Sequence, residues 1–453
     1  MTDLVIHPIG EGALSGSVPV PSDKSIGHRA LLFSALCNGK SRISGFSFSA
    51  DNVSTADALR AMGVRIETTG KTELTVEGVG LYGLRAPDKP LDCGNSGTTM
   101  RLITGILAAQ SFPSTLIGDH SLTKRPMMRI VGPLRSRGAR IDGQPHPKRE
   151  GDITAPLQIH GLGEGKYLGP IEYESPVSSA QIKSAILLSG LFAHGATHFK
   201  EPTLSRDHTE RMLSALGVPL RTVGTMVELD PGGWNGQMPA LDMEIVGDAS
   251  AAAFLLVAAQ IVPGSRVVTR SVGTNPTRTG LLEVLRDMGA GLSIESLGER
   301  AGEPIADIHS WTEPLRATTI GGERVARAID EIPIACALAV RASGTTVIRD
   351  AEELRVKESD RIATMATVLR SFGVTCEELP DGLRIEGKEG PLEAADIDSH
   401  GDHRIAMTSA ILGLLGRAPT RVRDAGCITT SFPKFVATLR GLGATIDVVD
   451  EAP

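Results

Sequence analysis

A nine-residue tag recurs six times along the chain, and this repeat restricts the possible folds more than any other feature. Each copy has a glycine at its fifth position. The copies are LRAMGVRIE ending at Glu67, LRSRGARID ending at Asp142, LSALGVPLR ending at Arg221, LRDMGAGLS ending at Ser293, LRSFGVTCE ending at Glu377 and LRGLGATID ending at Asp447. Their glycines lie 70 to 84 residues apart. Each tag predicts a helix closed by a C-terminal glycine and followed by a strand.

Two further segments precede every tag. One is a β-type run, found at 41–45, 114–118, 197–200, 266–270, 345–349 and 420–423. The other is an apolar helix before that run, at 30–36, 101–108, 183–191, 251–259, 334–340 and 405–415. These helices are apolar nearly all round, so we expect them to form the core beneath the sheets. The pattern predicts an α/β (α+β) protein of six βαβαββ repeats in two similar domains of three, resembling an inside-out α/β barrel.

The boundary between the two domains is expected midway along the chain, near residues 237–243, after the turn Pro231-Gly232-Gly233-Trp234. Residues 22–242 would then form an N-terminal lobe. Residues 1–21 are extended and precede the first repeat, so they could pair with the sheets of the C-terminal lobe. We therefore expect a discontinuous C-terminal lobe made of 1–21 and 243–453.

Polar side chains fall at the same place in successive repeats, namely the starts of the helices. The clearest case is Pro21 to Arg29, where Ser22 or Asp23 can cap a helix whose first two turns contain Lys24, Ser25 and Arg29. Helix N-termini carry a partial positive charge that attracts anions. Equivalent helices should point their N-termini to one end of each lobe. The sequence therefore predicts a cleft between the lobes that binds a ligand with several negative charges.

Composition excludes several classes of function. The 453 residues carry a formal charge of −7 and only 3% aromatic residues, which argues against general binding to nucleic acid or anionic membranes. Five scattered cysteines without a CxxC pair argue against a zinc site or disulfide framework and favour a reducing cytosol. No basic n-region leads into an apolar core, so no signal peptide is expected. We expect a cytoplasmic protein without bound metal.

Several motifs resemble those of the EPSP synthase family, the 3-phosphoshikimate 1-carboxyvinyltransferases, which belong to the enolpyruvyl transferases. The motifs are PSDKSIGHRA (21–30), GNSGTTMR (94–101), LTKRPM (122–127), SRDHTE (205–210), NPTRTG (275–280), IDEIPI (329–334), LRVKESDRI (354–362), DHRIAM (402–407) and TSFPKF (430–435). They occur in order over almost the entire chain. The resemblance implies two domains of three repeats each. It also implies transfer of the enolpyruvyl group from phosphoenolpyruvate to the 5-hydroxyl of shikimate 3-phosphate, in the shikimate pathway of aromatic amino acid biosynthesis.

The same resemblance implies roles for individual residues and no cofactor. Shikimate 3-phosphate would be bound by Lys24, Ser25, Arg29, Ser179, Gln181, Ser205, Asp330 and Lys357. Phosphoenolpyruvate would be bound by Lys24, Gly97, Arg125, Gln181, Arg361 and Arg404. The catalytic candidates are Asp330, as the base for the 5-hydroxyl, and Glu358 or Lys24, as the acid for the methylene carbon. Arginine suits carboxylate and phosphate because its planar fork binds two oxygens at once.

The chain departs from the family pattern at three positions. Ala180 replaces a serine, Glu353 replaces an asparagine, and Thr430 occupies a position that is lysine in many relatives, with Lys434 four residues later. Gly97 predicts room for glyphosate in the phosphoenolpyruvate pocket, so we expect a glyphosate target.

Two alternatives stay open at the level of sequence. The related transferase acting on UDP-N-acetylglucosamine shares the architecture, but its usual lysine–asparagine pair is absent because Ser25 follows Lys24. A non-catalytic anion-binding relative would not need Asp330, Lys357 and Glu358. Under the favoured hypothesis the partners are the two small substrates, and the protein acts as a monomer.

Overall fold

The computed structural model describes residues 2–163, 165–300 and 302–450. Its strands are β1 (Thr2–Ile6), β2 (Ser15–Pro19), β3 (Asn38–Ser44), β4 (Arg65–Gly70), β5 (Glu73–Val79), β6 (Leu91–Asp92), β7 (Ser114–Ile117), β8 (Ile141–Pro145), β9 (Ile153–Ile159), β10 (Ile171–Glu174), β11 (Thr197–Lys200), β12 (Leu220–Val223), β13 (Met226–Leu229), β14 (Asp242–Glu244), β15 (Arg266–Gly273), β16 (Gly291–Arg300), β17 (Glu303–Trp311), β18 (Leu315–Arg316), β19 (Thr319–Ile320), β20 (Ala342–Ser343), β21 (Thr345–Ile348), β22 (Cys376–Leu379), β23 (Gly382–Glu386), β24 (Asp396–Asp398), β25 (Thr420–Arg423) and β26 (Ile446–Asp450).

The helices are α1 (Lys24–Leu36), α2 (Ala50–Ala61), α3 (Gly97–Leu107), α4 (Met128–Ser136), α5 (Ala180–Gly190), α6 (His208–Ala215), α7 (Ala249–Ile261), α8 (Gly280–Asp287), α9 (Glu323–Ala328), α10 (Ile332–Arg341), α11 (Arg361–Ser371), α12 (His403–Gly413) and α13 (Phe435–Gly441). Short 3₁₀ turns occur at Leu122–Lys124, Pro276–Arg278, Glu352–Val356 and Ala425–Thr430. None of these helices combines the length and apolar character that crossing a membrane would require.

The mixed α/β fold class and the repeating order of elements are confirmed. In the second repeat the chain runs β6, α3, β7, α4, β8, β9, which is the predicted βαβαββ order. The six tag helices are α2, α4, α6, α8, α11 and α13. The glycine after each of them has a positive φ, between 72° and 115°, which side chains with a Cβ rarely adopt. The repeated glycine therefore marks the end of a helix in all six repeats.

The chain divides into two compact units. One, the N-terminal lobe, comprises Ser22–Ile245 and Arg300–Gly302; the other, the C-terminal lobe, comprises Met1–Pro21, Val246–Glu299 and Glu303–Pro453. Residues 243–245, expected in the C-terminal lobe, lie in the N-terminal one because β14 pairs with β3 there.

The N-terminal lobe contains three four-stranded sheets of one design. Their strand orders are β14-β3-β5-β4, β6-β7-β9-β8 and β10-β11-β13-β12. In each sheet the first two strands are parallel and the last two form an antiparallel hairpin. In the second and third sheets a core helix, α3 or α5, connects the two parallel strands. The core helices α1, α3 and α5 are almost entirely buried, apart from residues near their N-termini. Helix α3 packs against both α1 and α5.

The C-terminal lobe repeats this design with orders β16-β17-β15-β2, β19-β21-β23-β22 and β24-β25-β1-β26. Strand β2 pairs in parallel with β15, and β1 lies between β25 and β26. Strands β1 and β2, from the N-terminal segment, thus complete two of its three sheets. Core helices α7, α10 and α12 pack on one another. The short helix α9 and the two-stranded β18-β20 sheet are additions that the repeat pattern did not predict.

Candidate active site

In the N-terminal lobe, Lys24 is the first residue of α1. Asp23, and not Ser22, caps this helix: its Oδ1 accepts a hydrogen bond from the Ile26 amide at 2.8 Å. The ammonium of Lys24 lies 2.7 Å from Asp51 Oδ2, in the first turn of α2. Both side chains keep some exposure, 18% and 13%. The carboxylate therefore holds the ammonium at the starts of two helices without removing it from solvent.

A chain of hydrogen bonds from His28 through three hydroxyl groups joins α1, the middle of α2 and the start of α3. His28 Nδ1 lies 2.7 Å from Thr55 Oγ1, which lies 2.7 Å from Thr99 Oγ1, and Thr99 donates to Ser96 Oγ at 2.8 Å. Burial, with the neighbouring positive charges of α1, holds the pKa of His28 well below its ordinary value. The imidazole is therefore neutral and contributes hydrogen bonding rather than charge.

Arg29 is almost completely buried beneath the first turn of α1. Its Nε donates to Thr209 Oγ1 at 2.7 Å and its Nη2 to Ser184 Oγ at 2.7 Å. Its Nη1 donates to the carbonyl of Ser25 at 2.9 Å. The guanidinium thus joins α1 to α5 and α6 and contributes a positive charge below the helix starts.

Gly97 is the first residue of α3 and lies against two arginines. A Cβ built on it would meet Arg101 Nη1 at 2.7 Å and Arg125 Nη1 at 3.1 Å. Arg101 donates to Gln181 Oε1 at 2.7 Å, and Gln181 Nε2 donates to Thr98 Oγ1 at 3.0 Å. These contacts join the starts of α3 and α5. The glycine is therefore the one residue type that leaves both guanidinium groups where they are.

Arg125 is held by polar side chains of the second repeat. Its Nη2 donates to Asn95 Oδ1 at 2.7 Å, and Asn95 Nδ2 donates to Asp119 Oδ2 at 2.6 Å. The arginine is 7% exposed. Buried support of this kind fixes the guanidinium and lowers the entropy lost when it binds an anion.

Hydroxyl groups from the third repeat lie on the loops before α5 and α6. Ser179 precedes α5 and makes no side-chain cap hydrogen bond. Ser205 is buried, and its Oγ has no hydrogen-bond partner among the described residues. Arg206 Nη1 donates to Ser25 Oγ at 3.4 Å. A buried hydroxyl without a protein partner is satisfied by water or by a ligand, so the Ser205 hydroxyl is available to one.

In the C-terminal lobe, Arg361 is the centre of a group of carboxylates at the starts of α10, α11 and α12. It is 1% exposed, and its Nε donates to Asp402 Oδ2 at 2.8 Å. Its Nη2 donates to Glu358 Oε2 at 2.7 Å, and its Nη1 donates to Asp330 Oδ1 at 3.5 Å. Burial alone would lower the pKa of Arg361, but these carboxylates outweigh it and raise the pKa. The arginine is therefore always charged.

Arg404 lies in the first turn of α12 beside the same carboxylates. Its Nη1 donates to the carbonyl of Asp330 at 2.6 Å, and its Nη2 lies 3.8 Å from Asp330 Oδ2. Asp402 caps α12 by accepting the Arg404 amide at 2.9 Å. Glu331, next in sequence, lies between Arg404 and Arg278, 3.9 Å and 4.0 Å from their guanidinium groups. Arg278 also donates to Asp248 and Ser250 at the start of α7, so all three core helices of this lobe begin in one polar cluster.

Lys357 and Thr430 form no hydrogen bond to the described residues of this network. Lys357 follows the 3₁₀ turn before α11 and has no hydrogen bond or ion pair to any described residue. Thr430 donates from Oγ1 to the Cys427 carbonyl at 2.7 Å. Lys434 is exposed at the start of α13. Threonine at 430 therefore closes its own turn and offers no positive charge.

The described residues contain no group of three or more His, Cys, Asp or Glu side chains arranged to hold a metal ion. All five cysteines are free thiols. Burial raises the pKa of the least buried one, Cys427, to about 12, which is unfavourable for a nucleophile.

Comparison with known proteins agrees with this architecture. The family model for EPSP synthase (3-phosphoshikimate 1-carboxyvinyltransferase) matches residues 9–439. The chain belongs to this family. The 3-phosphoshikimate 1-carboxyvinyltransferase of Geobacter sp. (strain M21) is 50% identical over 430 residues, covering 95% of this chain and 97% of the relative. That of Xanthomonas euvesicatoria pv. vesicatoria (strain 85-10) is 50% identical over 431 residues, covering 95% of both.

A solved EPSP synthase structure from Acinetobacter baumannii superposes with a TM-score of 0.86. It is 43% identical in sequence and covers 99% of this chain and 100% of that chain. The predicted family, the fold class and the enzyme class of the chain are therefore confirmed.

Within each lobe the structure brings together most of the residues that the EPSP synthase motifs single out. Gly97 lies beside Arg125, and Ser25 lies beside Arg29; Asp330, Glu358, Arg361 and Arg404 form one cluster. The Lys357 side chain makes no hydrogen bond or ion pair with the described residues of this cluster. Four supporting residues had no assigned role in the sequence analysis: Asp51, Asn95, Arg101 and Asp402. All four lie just before a helix or within its first two turns, and this shared repeat position was the available signal.

Proposed function

We propose that this chain transfers the enolpyruvyl group of phosphoenolpyruvate to the 5-hydroxyl of shikimate 3-phosphate by addition and elimination, releasing phosphate. Membership in the EPSP synthase family over residues 9–439 carries this proposal. The product is 5-enolpyruvylshikimate 3-phosphate, an intermediate of aromatic amino acid biosynthesis. Both substrates are anionic, and each lobe supplies arginines and helix N-termini suited to anions.

Shikimate 3-phosphate is proposed to bind mainly through the N-terminal lobe. The unpaired Ser205 hydroxyl, together with Ser179 and Ser25, supplies donors for the phosphate, and Lys24 and Arg29 supply positive charge. Gln181 would contact the substrate from the start of α5. Asp330 and Lys357, from the C-terminal lobe, would contact the shikimate hydroxyls.

Phosphoenolpyruvate is proposed to take its contacts from both lobes. Arg125 and Lys24 in the N-terminal lobe, with Gly97 and Gln181 beside them, would hold one part of it. Arg361 and Arg404 would hold its carboxylate or phosphate from the C-terminal lobe. Support for this comes from the rigid placement of both arginines of that lobe, which are buried and bonded to Asp402 or Asp330. Binding one small, multiply charged anion through six positions would align C2 with the attacking hydroxyl.

The chemistry requires one base and one acid. As the 5-hydroxyl attacks C2, Asp330 accepts its proton, and C3 is protonated by Glu358 or by Lys24. The resulting tetrahedral adduct loses phosphate, a proton leaves C3, and the enol ether remains. Glu358 is already bonded to Arg361 at 2.7 Å and Lys24 to Asp51 at 2.7 Å. Both candidate side chains are therefore held in place, and we keep both as candidates for the acid.

Two further features follow from this function. We propose that glyphosate competes with phosphoenolpyruvate, because Gly97 leaves space beside Arg101 and Arg125. We also propose a monomer acting in the cytoplasm, without nucleic-acid or membrane partners; five free thiols support a reducing compartment.

Phosphate release distinguishes this function from its two rivals. Purified protein is incubated with phosphoenolpyruvate plus either shikimate 3-phosphate or UDP-N-acetylglucosamine, and inorganic phosphate is measured. We expect release only with shikimate 3-phosphate. Release with the UDP-sugar alone would assign the chain to the related transferase, and release with neither would favour a non-catalytic anion-binding protein.

A further inference from the structure

Lys183 lies next to Ser205, and none of the proposed substrate contacts explains why it is there. It lies on α5 and is completely buried. Its ammonium lies 2.8 Å from Glu201 Oε1 and 2.7 Å from Glu210 Oε1, and it donates to the Ser205 carbonyl at 3.2 Å. Glu201 and Glu210 are 1% and 4% exposed. Three ionisable side chains are thus enclosed next to one serine.

The main-chain amide and the main-chain carbonyl of Ser205 both form hydrogen bonds with this cluster. The Ser205 amide donates to Glu201 Oε1 at 2.9 Å, which is the oxygen that Lys183 also contacts. Its carbonyl accepts from Lys183. A closed ring therefore runs from the lysine through the glutamate and the serine main chain back to the lysine. The side-chain hydroxyl is the one polar group of Ser205 left without a described partner.

Stability alone does not explain this arrangement. Replacing a buried ion group by apolar side chains of similar size is often neutral or stabilising. The cluster also contains two carboxylates for one lysine, and burial raises the pKa of Glu210 even though the charge of Lys183 opposes the shift. A costly cluster placed around the main chain of one loop residue indicates a requirement at that residue.

We propose that Glu201, anchored by Lys183, is a positioning residue that fixes the Ser205 main chain so that its hydroxyl meets the phosphate of the phosphorylated substrate. The inference rests on the proposed function, because it concerns the phosphate of shikimate 3-phosphate. Neither residue contacts the substrate in this account. They act through the orientation of Ser205, and so they set affinity for the phosphate group rather than for the shikimate ring.

The two glutamates provide a matched pair of variants. Glu201→Leu and Glu210→Leu each remove one buried carboxylate and each leave Lys183 with one carboxylate partner, so neither variant leaves the buried lysine unpaired. Only Glu201 contacts Ser205. Dissociation constants are measured for shikimate 3-phosphate and for shikimate, which lacks the phosphate, and thermal midpoints report folding.

We expect Glu201→Leu to weaken shikimate 3-phosphate binding about tenfold, the lower end of the range for one hydrogen bond to a charged group. Glu210→Leu should change it less than about twofold, and neither variant should change shikimate binding. Glu201→Gln keeps an acceptor oxygen and should restore most of the affinity, which also covers the case in which Glu201→Leu does not fold. Equal losses in Glu201→Leu and Glu210→Leu, or in Glu201→Leu and Glu201→Gln, would contradict the proposal.

The decisive control repeats the measurement in a Ser205→Ala background. If Glu201 acts through the Ser205 hydroxyl, Glu201→Leu should have less than about twofold further effect there. An undiminished tenfold effect would show that Glu201 acts elsewhere and would overturn the inference. Failure of the proposed function looks different, since the unsubstituted protein would then neither bind shikimate 3-phosphate nor release phosphate with it.

Discussion

The carboxylate of Asp402 accepts a hydrogen bond from Arg361 Nε at 2.8 Å, and neither side chain is more than 1% exposed. Asp402 also accepts the Arg404 amide and the Ser359 hydroxyl. One buried aspartate therefore caps α12 and orients the arginine at the start of α11.

Asp402→Asn is expected to destabilise the protein and to weaken phosphoenolpyruvate binding. Burial alone would raise the pKa of Asp402, but the adjoining charge of Arg361 outweighs it and lowers the pKa below its ordinary value. A carboxyl with a lowered folded pKa contributes stability above its unfolded pKa, about 3.9. That contribution is lost as pH falls through the lower folded value.

The measurement is the free energy of unfolding of both proteins between about pH 2 and pH 7. Removing one partner of a buried ion pair typically costs about 3–5 kcal/mol. We expect the difference between the proteins to be constant above about pH 5 and to shrink below about pH 4. A difference that grows as the pH falls would contradict the assigned sign.

Gly97→Ala is expected to weaken glyphosate inhibition more than it weakens catalysis. The new methyl group would lie 2.7 Å from Arg101 Nη1 and 3.1 Å from Arg125 Nη1, so both guanidinium ends must move. The displacement of Arg101 also disturbs its hydrogen bond to Gln181. We expect the inhibition constant of glyphosate to rise by a larger factor than the KM for phosphoenolpyruvate. Equal factors for inhibitor and substrate would refute the steric explanation.

Glu358→Gln and Lys24→Met distinguish the two candidates for the acid that protonates C3. Loss of a general acid typically lowers the rate about 10²–10⁴-fold. The readout is exchange of solvent deuterium into the methylene group of recovered phosphoenolpyruvate, alongside the pH–rate profile. We expect the variant that lacks the acid to lose exchange and the corresponding limb of the profile. The other variant should keep exchange when it is saturated with substrate. If both variants keep exchange, neither residue is the acid.

The tag glycine Gly443 and its neighbour Gly441 are expected to respond in opposite directions to alanine. Gly443 has φ of +115°, and a Cβ there would meet the Ala13 carbonyl oxygen at 3.1 Å. Gly441, in α13, has nothing within 4 Å of a Cβ. Gly443→Ala should destabilise by about 1–2 kcal/mol, whereas Gly441→Ala should be neutral or stabilise by up to about 1 kcal/mol. Thermal and denaturant unfolding measure the stability change of each variant. If Gly441→Ala alone lost stability, the assigned role of the repeated glycine as the helix end would be wrong.

The repeated elements could be predicted because they depend on local sequence. Gly63, Gly289 and Gly443 each end a helix by adopting a backbone conformation that glycine tolerates, and this requirement is visible in nine residues. The apolar runs likewise identify the core helices, although α3 begins at Gly97 and α12 at His403, earlier than the apolar residues alone indicate. Polar helix starts do not contribute to an apolar pattern.

The contacts that build the site could not be predicted in the same way. Arg29 forms a hydrogen bond with Thr209, which is 180 residues away. Lys183 on α5 pairs with Glu201, which follows β11, and with Glu210 on α6. The sequence of a helix does not show whether a charged side chain is exposed to solvent or buried with a partner. That depends on how the helix packs against the rest of the lobe. The family motifs identified Arg361 and Arg404, but they do not show that Asp402 orients the first and caps the helix of the second.

Identification of the product tests the central claim of enolpyruvyl transfer most directly. The protein is incubated with shikimate 3-phosphate and phosphoenolpyruvate labelled with ¹³C at C2, and the mixture is followed by ¹³C and ³¹P nuclear magnetic resonance. We expect one inorganic phosphate per labelled enol ether on the shikimate 5-oxygen, with the 3-phosphate retained. Phosphate release without that ether, or a label carried on any other oxygen, would contradict the account.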